Sequence, residues 1–366
     1  MVNFNFIKTE LMIVQSNQIA VEKSSTTKIH EVDFNNLSFG SIYTDHMLVS
    51  DYVHGSWIVP KITPYQSIQL DPSAKIFHYG QSIFEGMKAY KDSDDQIWLF
   101  RPTDNHARFN KSAKRMAMPE IPLAYFMDGL TALLNLERDW IPKQIGSSLY
   151  IRPFMFATGL GFHASPADAF KFVIALAPSG PYFSGKVKVL IEEKYARAAN
   201  GGVGYAKAGG NYAAQFYPTM LAAKQGYQQV VWTDDNKHEY IEEAGAMNIF
   251  IRINDTLITA PTSDRILDGI TRKSILELAN HLGIHTEVRK IKVSEIVEAS
   301  NKGTLKEMFG AGTAAVISPI SSFGYKGTDY LLPESEKSYA SALKTMITDI
   351  QYNRIADNFG WRHQVL

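Results

Sequence analysis

The sequence predicts a mixed α/β protein of two closely packed lobes, on three observations. Its 366 residues are slightly long for one domain and suit two substantial cores. Its first half alternates aromatic-rich apolar segments with turn signals, the pattern of a mixed sheet with helices over it. A stretch holding Pro178, Gly180, Pro181 and Gly185 then interrupts the pattern before further strands and helices follow.

The elements follow in order. Residues 1–28 are expected to be a loosely ordered extension, with Met12 a candidate alternative start. The opening MVNFNFIKTELMIVQSNQ has neither the basic n-region nor the unbroken apolar h-region of a secretory leader. No stretch approaches the apolar length of a membrane span, so a cytoplasmic protein is expected. SIYTDHMLVSDY, KIFHYGQSIFEGMKAY and QIWLF supply the first sheet, and residues 105–118 and 127–141 read as amphipathic helices. The strand-like run from Lys171 ends in the Pro/Gly stretch, which divides a lobe of residues 1–178 from a linker, 179–187, and a cofactor-binding lobe, 188–366. QVVWT (229–233) and MNIFIRI (247–253) read as strands. GITRKSILELANHLGI reads as a helix with Ile275, Leu278 and Leu282 on one stripe and Gly283 as its cap. NYAAQFYPTMLAAKQG is helical except for Pro218, which is expected to kink or restart it.

Composition excludes several function classes. Lys plus Arg and Asp plus Glu number 37 each, without runs of like charge, so no basic face invites nucleic acid or an anionic membrane. The absence of cysteine removes disulfides, thiolate metal sites and thiol nucleophiles. His281 and His285 have the spacing of a helical metal pair, but Gly283 between them is expected to end the helix, and no metal site is expected. The sequons at Asn110 and Asn254 mean nothing without a secretory leader.

Chemistry gathers around Lys207 in GYAKAGGNYAAQ. Alone, a lysine among glycines is an ordinary loop residue. Thirty-six residues on, EEAGAMNIF places Glu243 before a glycine turn and an apolar strand, which predicts a carboxylate at the sheet's edge. LDGITRK then opens a helix whose free N–H groups and Thr271 hydroxyl could seat a phosphate. FGAGTAAVISP supplies a second Gly-Thr turn able to bind an anion. A lysine, a carboxylate and two anion seats suit pyridoxal 5′-phosphate, whose aldehyde bonds a lysine and whose ring nitrogen needs an acidic partner.

These residues resemble the fold-type IV pyridoxal-phosphate enzymes, and within them the branched-chain amino acid aminotransferases. The likeness runs from about residue 30 and rests on HYGQSIFEGMKAY, FRPTDNHARF, LYIRPFMFATG, YAKAGGNYAA, EEAGAMNIF, LDGITRKSI and GAGTAAVISP, in the family's order. The resemblance implies two lobes with the cofactor between them. It implies Lys207 as the cofactor-bonding lysine, Glu243 as the ring-nitrogen partner and Tyr212 as the phenol on the ring oxygen. Arg108, Ile270, Thr271 and Thr313 would hold the phosphate, with Arg197 nearby. Tyr79, Phe84, Tyr150 and Tyr182 would line the substrate pocket. Arg152 would receive the distal carboxylate of glutamate, and the amides of Thr313 and Ala314 the α-carboxylate. Loop 159–166 would bring Phe162 and Ala164 into the neighbouring subunit's site, so a homodimer is implied.

Two departures stand out. Ala246 replaces a family Thr or Ser, and GLGFHASP carries Phe162, His163 and Ala164 in place of the usual Leu-Gly-Val pattern. The implied reaction is ping-pong amino transfer between Leu, Ile or Val and 2-oxoglutarate. Alternatives are a D-amino acid aminotransferase or an aminodeoxychorismate lyase of the same fold type, against which chain length and the YIRP arginine speak, and, more remotely, a non-catalytic pyridoxal-phosphate-binding protein.

Overall fold

The computed structural model describes residues 19–181, 185–334 and 337–366. The first sheet is built from β1 (Ala20–Val21), β2 (His46–Val53), β3 (Ser56–Trp57), β4 (Lys61–Pro64), β5 (Ser82–Phe84), β6 (Met87–Lys91), β7 (Ile97–Phe100), β8 (Ser148–Ala157) and β9 (Phe170–Ser179). Its main path runs β1-β4-β2-β9-β8-β6-β7, with β3 on β2 and β5 on β8. Helices α1 (Lys75–Tyr79), α2 (Pro102–Arg115) and α3 (Leu123–Leu136) belong to the same half of the chain. In α3, Phe126, Leu130, Leu133 and Leu134 fall at i, i+4, i+7 and i+8 and are fully buried. Proline at its first position starts α2 three residues earlier than its apolar pattern predicts, because the ring presets φ and the missing N–H would have had no helical partner.

The second sheet contains β10 (Val187–Ile191), β11 (Gln229–Thr233), β12 (Tyr240–Ala244), β13 (Met247–Ile253), β14 (Thr256–Thr259), β15 (Thr286–Val288), β16 (Ile291–Lys292), β17 (Leu305–Gly312), β18 (Val316–Tyr325) and β19 (Thr328–Leu331). Six of these strands, β13-β17-β18-β10-β11-β12, close on themselves because β12 also pairs with β13. The closing hairpin turns at Gly245–Ala246. Gly245 has φ +57, a left-handed backbone that favours glycine, and the movable end of the Gln229 side chain fills the space beside it. Helices α4 (Gly209–Lys224), α5 (Ile270–His281), α6 (Val293–Asn301) and α7 (Tyr339–Gln351) pack around these strands.

Several expectations change here. Residues 19–28 do not form a loose extension throughout: β1 pairs in parallel with β4, and the Ser24 amide donates to His46 Nε2 at 2.7 Å. The final strand, β20 (Arg362–Val365), leaves the second half and pairs antiparallel with β7, so the chain's end belongs to the first sheet. Pro218 does not restart its helix: α4 runs through it, with the proline buried, although the Ala214 carbonyl loses its helical donor. Gly283 lies one position beyond the C-cap Leu282 with φ +70, the left-handed residue that ends α5.

Candidate active site

Residues from both sheets meet around a cleft of about 430 Å³ that contains Lys207, Tyr212, Glu243, Arg108 and Arg152. Lys207 precedes α4, and the first half of the chain holds its backbone on both sides. Its N–H donates to Ser112 Oγ of α2 at 2.9 Å, and its carbonyl accepts from the Phe84 N–H of β5 at 3.0 Å. The side chain is thereby aimed into the cleft, where Nζ donates to the Tyr212 hydroxyl at 2.8 Å and lies 4.6 Å from the Phe84 ring centre.

Glu243 is not at a sheet edge. Strand β12 is paired on both sides, and Glu243 stands opposite Trp232 in β11 and Asn248 in β13, only 2% exposed. Its Oε1 accepts from the Leu267 N–H at 2.9 Å and from Asn248 Nδ2 at 3.2 Å. Its Oε2 lies 2.7 Å from Arg197 Nε, an ion pair rather than an aligned hydrogen bond. Burial pushes the Glu243 carboxyl up to about 7, against the opposing pull of Arg197, the Leu267 amide and Lys207. Arg197 is itself held by the carbonyls of Gly204 and Arg265.

Arg108 has a partner that sequence reasoning missed. Its Nε and one terminal nitrogen donate to the two oxygens of Glu85 at 2.7 and 2.9 Å, and the other terminal nitrogen donates to the Asp268 carbonyl at 3.1 Å. Glu85 is completely buried. Burial alone would raise its carboxyl, but Arg108, Lys207 and Asn105 outweigh it and hold the group below its usual value. The only available signal was local: a carboxylate in the apolar SIFEGM run needs a buried cation. Asp268 leads into α5, whose N-cap Gly269 provides no side-chain cap, so the amides at Ile270 and Thr271 face the cleft without a capping acceptor. Thr313 and Ala314, in the turn between β17 and β18, line the same cleft.

The substrate-facing residues divide. Phe84, Tyr150 and Arg152 line the cleft. Arg152 donates to the Tyr150 hydroxyl at 3.1 Å and stacks over Phe84 and Tyr150, yet its buried Nε has no hydrogen-bond partner among the described residues. Among the described residues no carboxylate forms an ion pair with it. Gly86 secures this wall, since a Cβ there would come within 2.3 Å of the Tyr150 hydroxyl. Phe39 completes the lining and was not anticipated. Tyr79 does not join them. Its hydroxyl donates to the Phe162 carbonyl on the outer surface, where both residues are exposed. Lys75 braces that loop with bonds to Ser165 Oγ at 2.7 Å, the Ser165 carbonyl at 3.2 Å and the Pro166 carbonyl at 3.3 Å, leaving Phe162 and Ala164 facing outward. Ala246 lines the cleft with no hydroxyl to offer. Tyr182 lies outside the described residues.

The donor set fits pyridoxal 5′-phosphate. A lysine amine, a buried carboxylate and a set of uncapped helix amides occupy one cleft, matching the aldehyde, ring nitrogen and phosphate of that molecule.

Comparison with known proteins agrees with the geometry. Residues 82–323 match the model of the family described as amino-transferase class IV. The chain is 42% identical to branched-chain-amino-acid aminotransferase 2 of Bacillus subtilis (strain 168), over 95% of this chain and 97% of that one. Among solved structures, the branched-chain aminotransferase from Thermoproteus uzoniensis with norvaline superposes with a TM-score of 0.72 at 22% identity, covering 88% of this chain and all of the other. The Thermobaculum terrenum branched-chain amino acid aminotransferase in its PLP form gives 0.71 at 19% identity, over 87% and 98% of the two chains. At these identities the structures establish the shared fold.

Proposed function

From a chain that belongs to the class IV aminotransferases, and within them to the branched-chain amino acid aminotransferases, we propose pyridoxal-phosphate-dependent transfer of the amino group between L-leucine, L-isoleucine or L-valine and 2-oxoglutarate. The observation that carries the substrate reading is Arg152. Its guanidinium lies at the aromatic wall of the cleft and has no carboxylate partner among the described residues. It can receive the distal carboxylate of glutamate in one half-reaction and lie against the aromatic rings when an apolar side chain enters in the other.

Each residue has a task in this reading. Lys207 holds the cofactor through Nζ and, once released, carries the substrate's α-proton on that atom. The Tyr212 hydroxyl, already bonded to Nζ, orients it. Glu243 faces the cofactor's ring nitrogen, and Arg197 keeps the carboxylate in place. The α5 amides at Ile270 and Thr271, with Thr313 and the remaining N–H groups of Arg108, bind the phosphate; Glu85 fixes the Arg108 plane. Amides at Thr313 and Ala314 receive the α-carboxylate. The bound cofactor supplies an electron sink for the pair left when the α-proton departs.

The exposed apolar side chains of Phe77, Tyr79, Leu160 and Phe162 support a homodimer in which loop 159–166 of one subunit completes the other's substrate pocket. No helix among the described residues is long and apolar enough to cross a membrane, and a cytoplasmic location is part of this reading. The test is glutamate formation from 2-oxoglutarate across L- and D-amino acids. Turnover confined to the branched L-series supports the reading, and turnover of D-amino acids instead would overturn it.

A further inference from the structure

The turn that lines the candidate site also borders a second cleft. Ala314 and Ala315 contribute to both, and the second, about 540 Å³, extends between β6, β18 and α7. Its lining contains Lys88, Lys186, Lys344 and Arg354 and no aspartate or glutamate among the described residues. Lys186 and Arg354 have ion-pair partners in Glu334 and Asp349. Lys88 and Lys344 have none among the described residues. Lys88 is 92% buried and donates one of its three ammonium protons to the Ala314 carbonyl at 2.8 Å. Burial, with the facing Lys344 charge adding to it, pulls the Lys88 ammonium down to about 8, so this cation lacks a counter-charge.

Two ammonium groups without a carboxylate partner among the described residues, one of them on a buried side chain, therefore border one cavity large enough for a small molecule.

We propose that this cleft binds a small organic anion with at least two negative charges. Lys88 and Lys344 serve as its counter-ions. Because Lys88 also grips the Ala314 carbonyl, an occupant shifts the turn whose far side lines the first cleft and thereby changes substrate affinity. Only this second consequence rests on the transaminase reading.

Titration calorimetry on the cofactor-loaded protein, at matched ionic strength, tests the binding with citrate for a polycarboxylate, glycerol 3-phosphate for a phosphoester and acetate as the singly charged control. One of the first two is expected to bind saturably and far more tightly than acetate, and which one does identifies the anion's chemistry. Lys344 is exposed on α7 and lies outside the first cleft. Lys344→Gln is expected to weaken binding about tenfold, and Lys344→Glu to abolish it, with basal amino transfer unchanged. Failure of both anions to exceed acetate, or equal affinity in Lys344→Gln, overturns the site. A saturating anion should change KM for leucine in the wild type and leave it unchanged in Lys344→Glu. Binding with no change in KM overturns the coupling while leaving the amino-transfer activity, measured without anion, as a separate result.

Discussion

The two ends of the candidate active site are built differently. At the Glu243 end both carboxylates have a cationic partner within the chain: Glu243 with Arg197, Glu85 with Arg108, both pairs buried. At the Arg152 end the guanidinium has no carboxylate partner among the described residues and donates only to the Tyr150 hydroxyl at 3.1 Å. The first arrangement is preorganised, so that cofactor charge enters a site whose dipoles need not move. The second leaves its positive charge open to a carboxylate entering the cleft, as the proposed substrate reading requires. A paired end and an unpaired end suit one fixed cofactor serving two dissimilar substrates.

Four variants probe that contrast, beginning with the largest expected effect. Lys207→Ala should lower turnover by more than about a thousandfold and remove the visible absorbance of the bound cofactor, because no other described lysine reaches the cleft as Lys207 does. Turnover retained with leucine and 2-oxoglutarate would break the assignment of the preorganised end.

Glu243→Gln comes next and is read in the apoprotein. The Glu243 pKa rises from 4.5 to about 7 on folding. Between those values the unfolded chain has released a proton that the folded one retains, so the contribution of this group to stability falls as pH rises. Relative to wild type, the glutamine variant should therefore gain about 3 kcal/mol between pH 4.5 and pH 7.5, at about 1.36 kcal/mol per pKa unit. Urea unfolding of both proteins across that range measures it, and parallel pH profiles would mean that Glu243 is ionised throughout. In the loaded enzyme the same change should slow proton removal from leucine in single turnover, since an amide stabilises a protonated ring poorly.

Arg152→Met tests the unpaired end. Loss of one charge-assisted contact costs about 1.5–3 kcal/mol, roughly ten- to two-hundredfold in the glutamate half-reaction. Leucine should suffer much less. Equal losses in both half-reactions, with a lower Tm, would make the arginine structural.

Phe162→Ser should have the smallest effect. If this ring inserts into a neighbouring subunit, its loss should weaken dimerisation by about 1–2 kcal/mol and raise KM for leucine several-fold, leaving cofactor absorbance intact. Sedimentation at several concentrations, together with KM, decides it. An unchanged dissociation constant and KM would detach the loop from the substrate pocket.

Much of this was legible before any coordinates. The amphipathic helix read over residues 127–141 is present as α3, although it spans Leu123–Leu136 and so begins and ends earlier than its pattern suggested. QVVWT and MNIFIRI matched strands β11 and β13 to the residue. Short-range signals survive because burial repeats with the element's own period. The site residues were legible through ordered motifs, and Lys207, Glu243, Arg108 and Arg152 do share one cleft. Partners were not legible. Nothing local to HYGQSIFEGMKAY says that Glu85 will meet Arg108, 23 residues on, or that Lys88 will reach Ala314, 226 residues on. The placement of Glu243 was misread for the same reason: its own strand is visible in sequence, but which strands flank it is not.

By itself, then, the sequence determined the mixed α/β class, most element positions, the family motifs and the absence of thiol chemistry, all properties of residue type and short spacing. Tertiary structure alone decided which charges neutralise one another, which polar atoms remain unpaired, and that the chain's last strand returns to its first sheet. The physical reason is that burial and electrostatics depend on distance in space, and loop closure brings together residues whose separation along the chain carries no trace of the meeting.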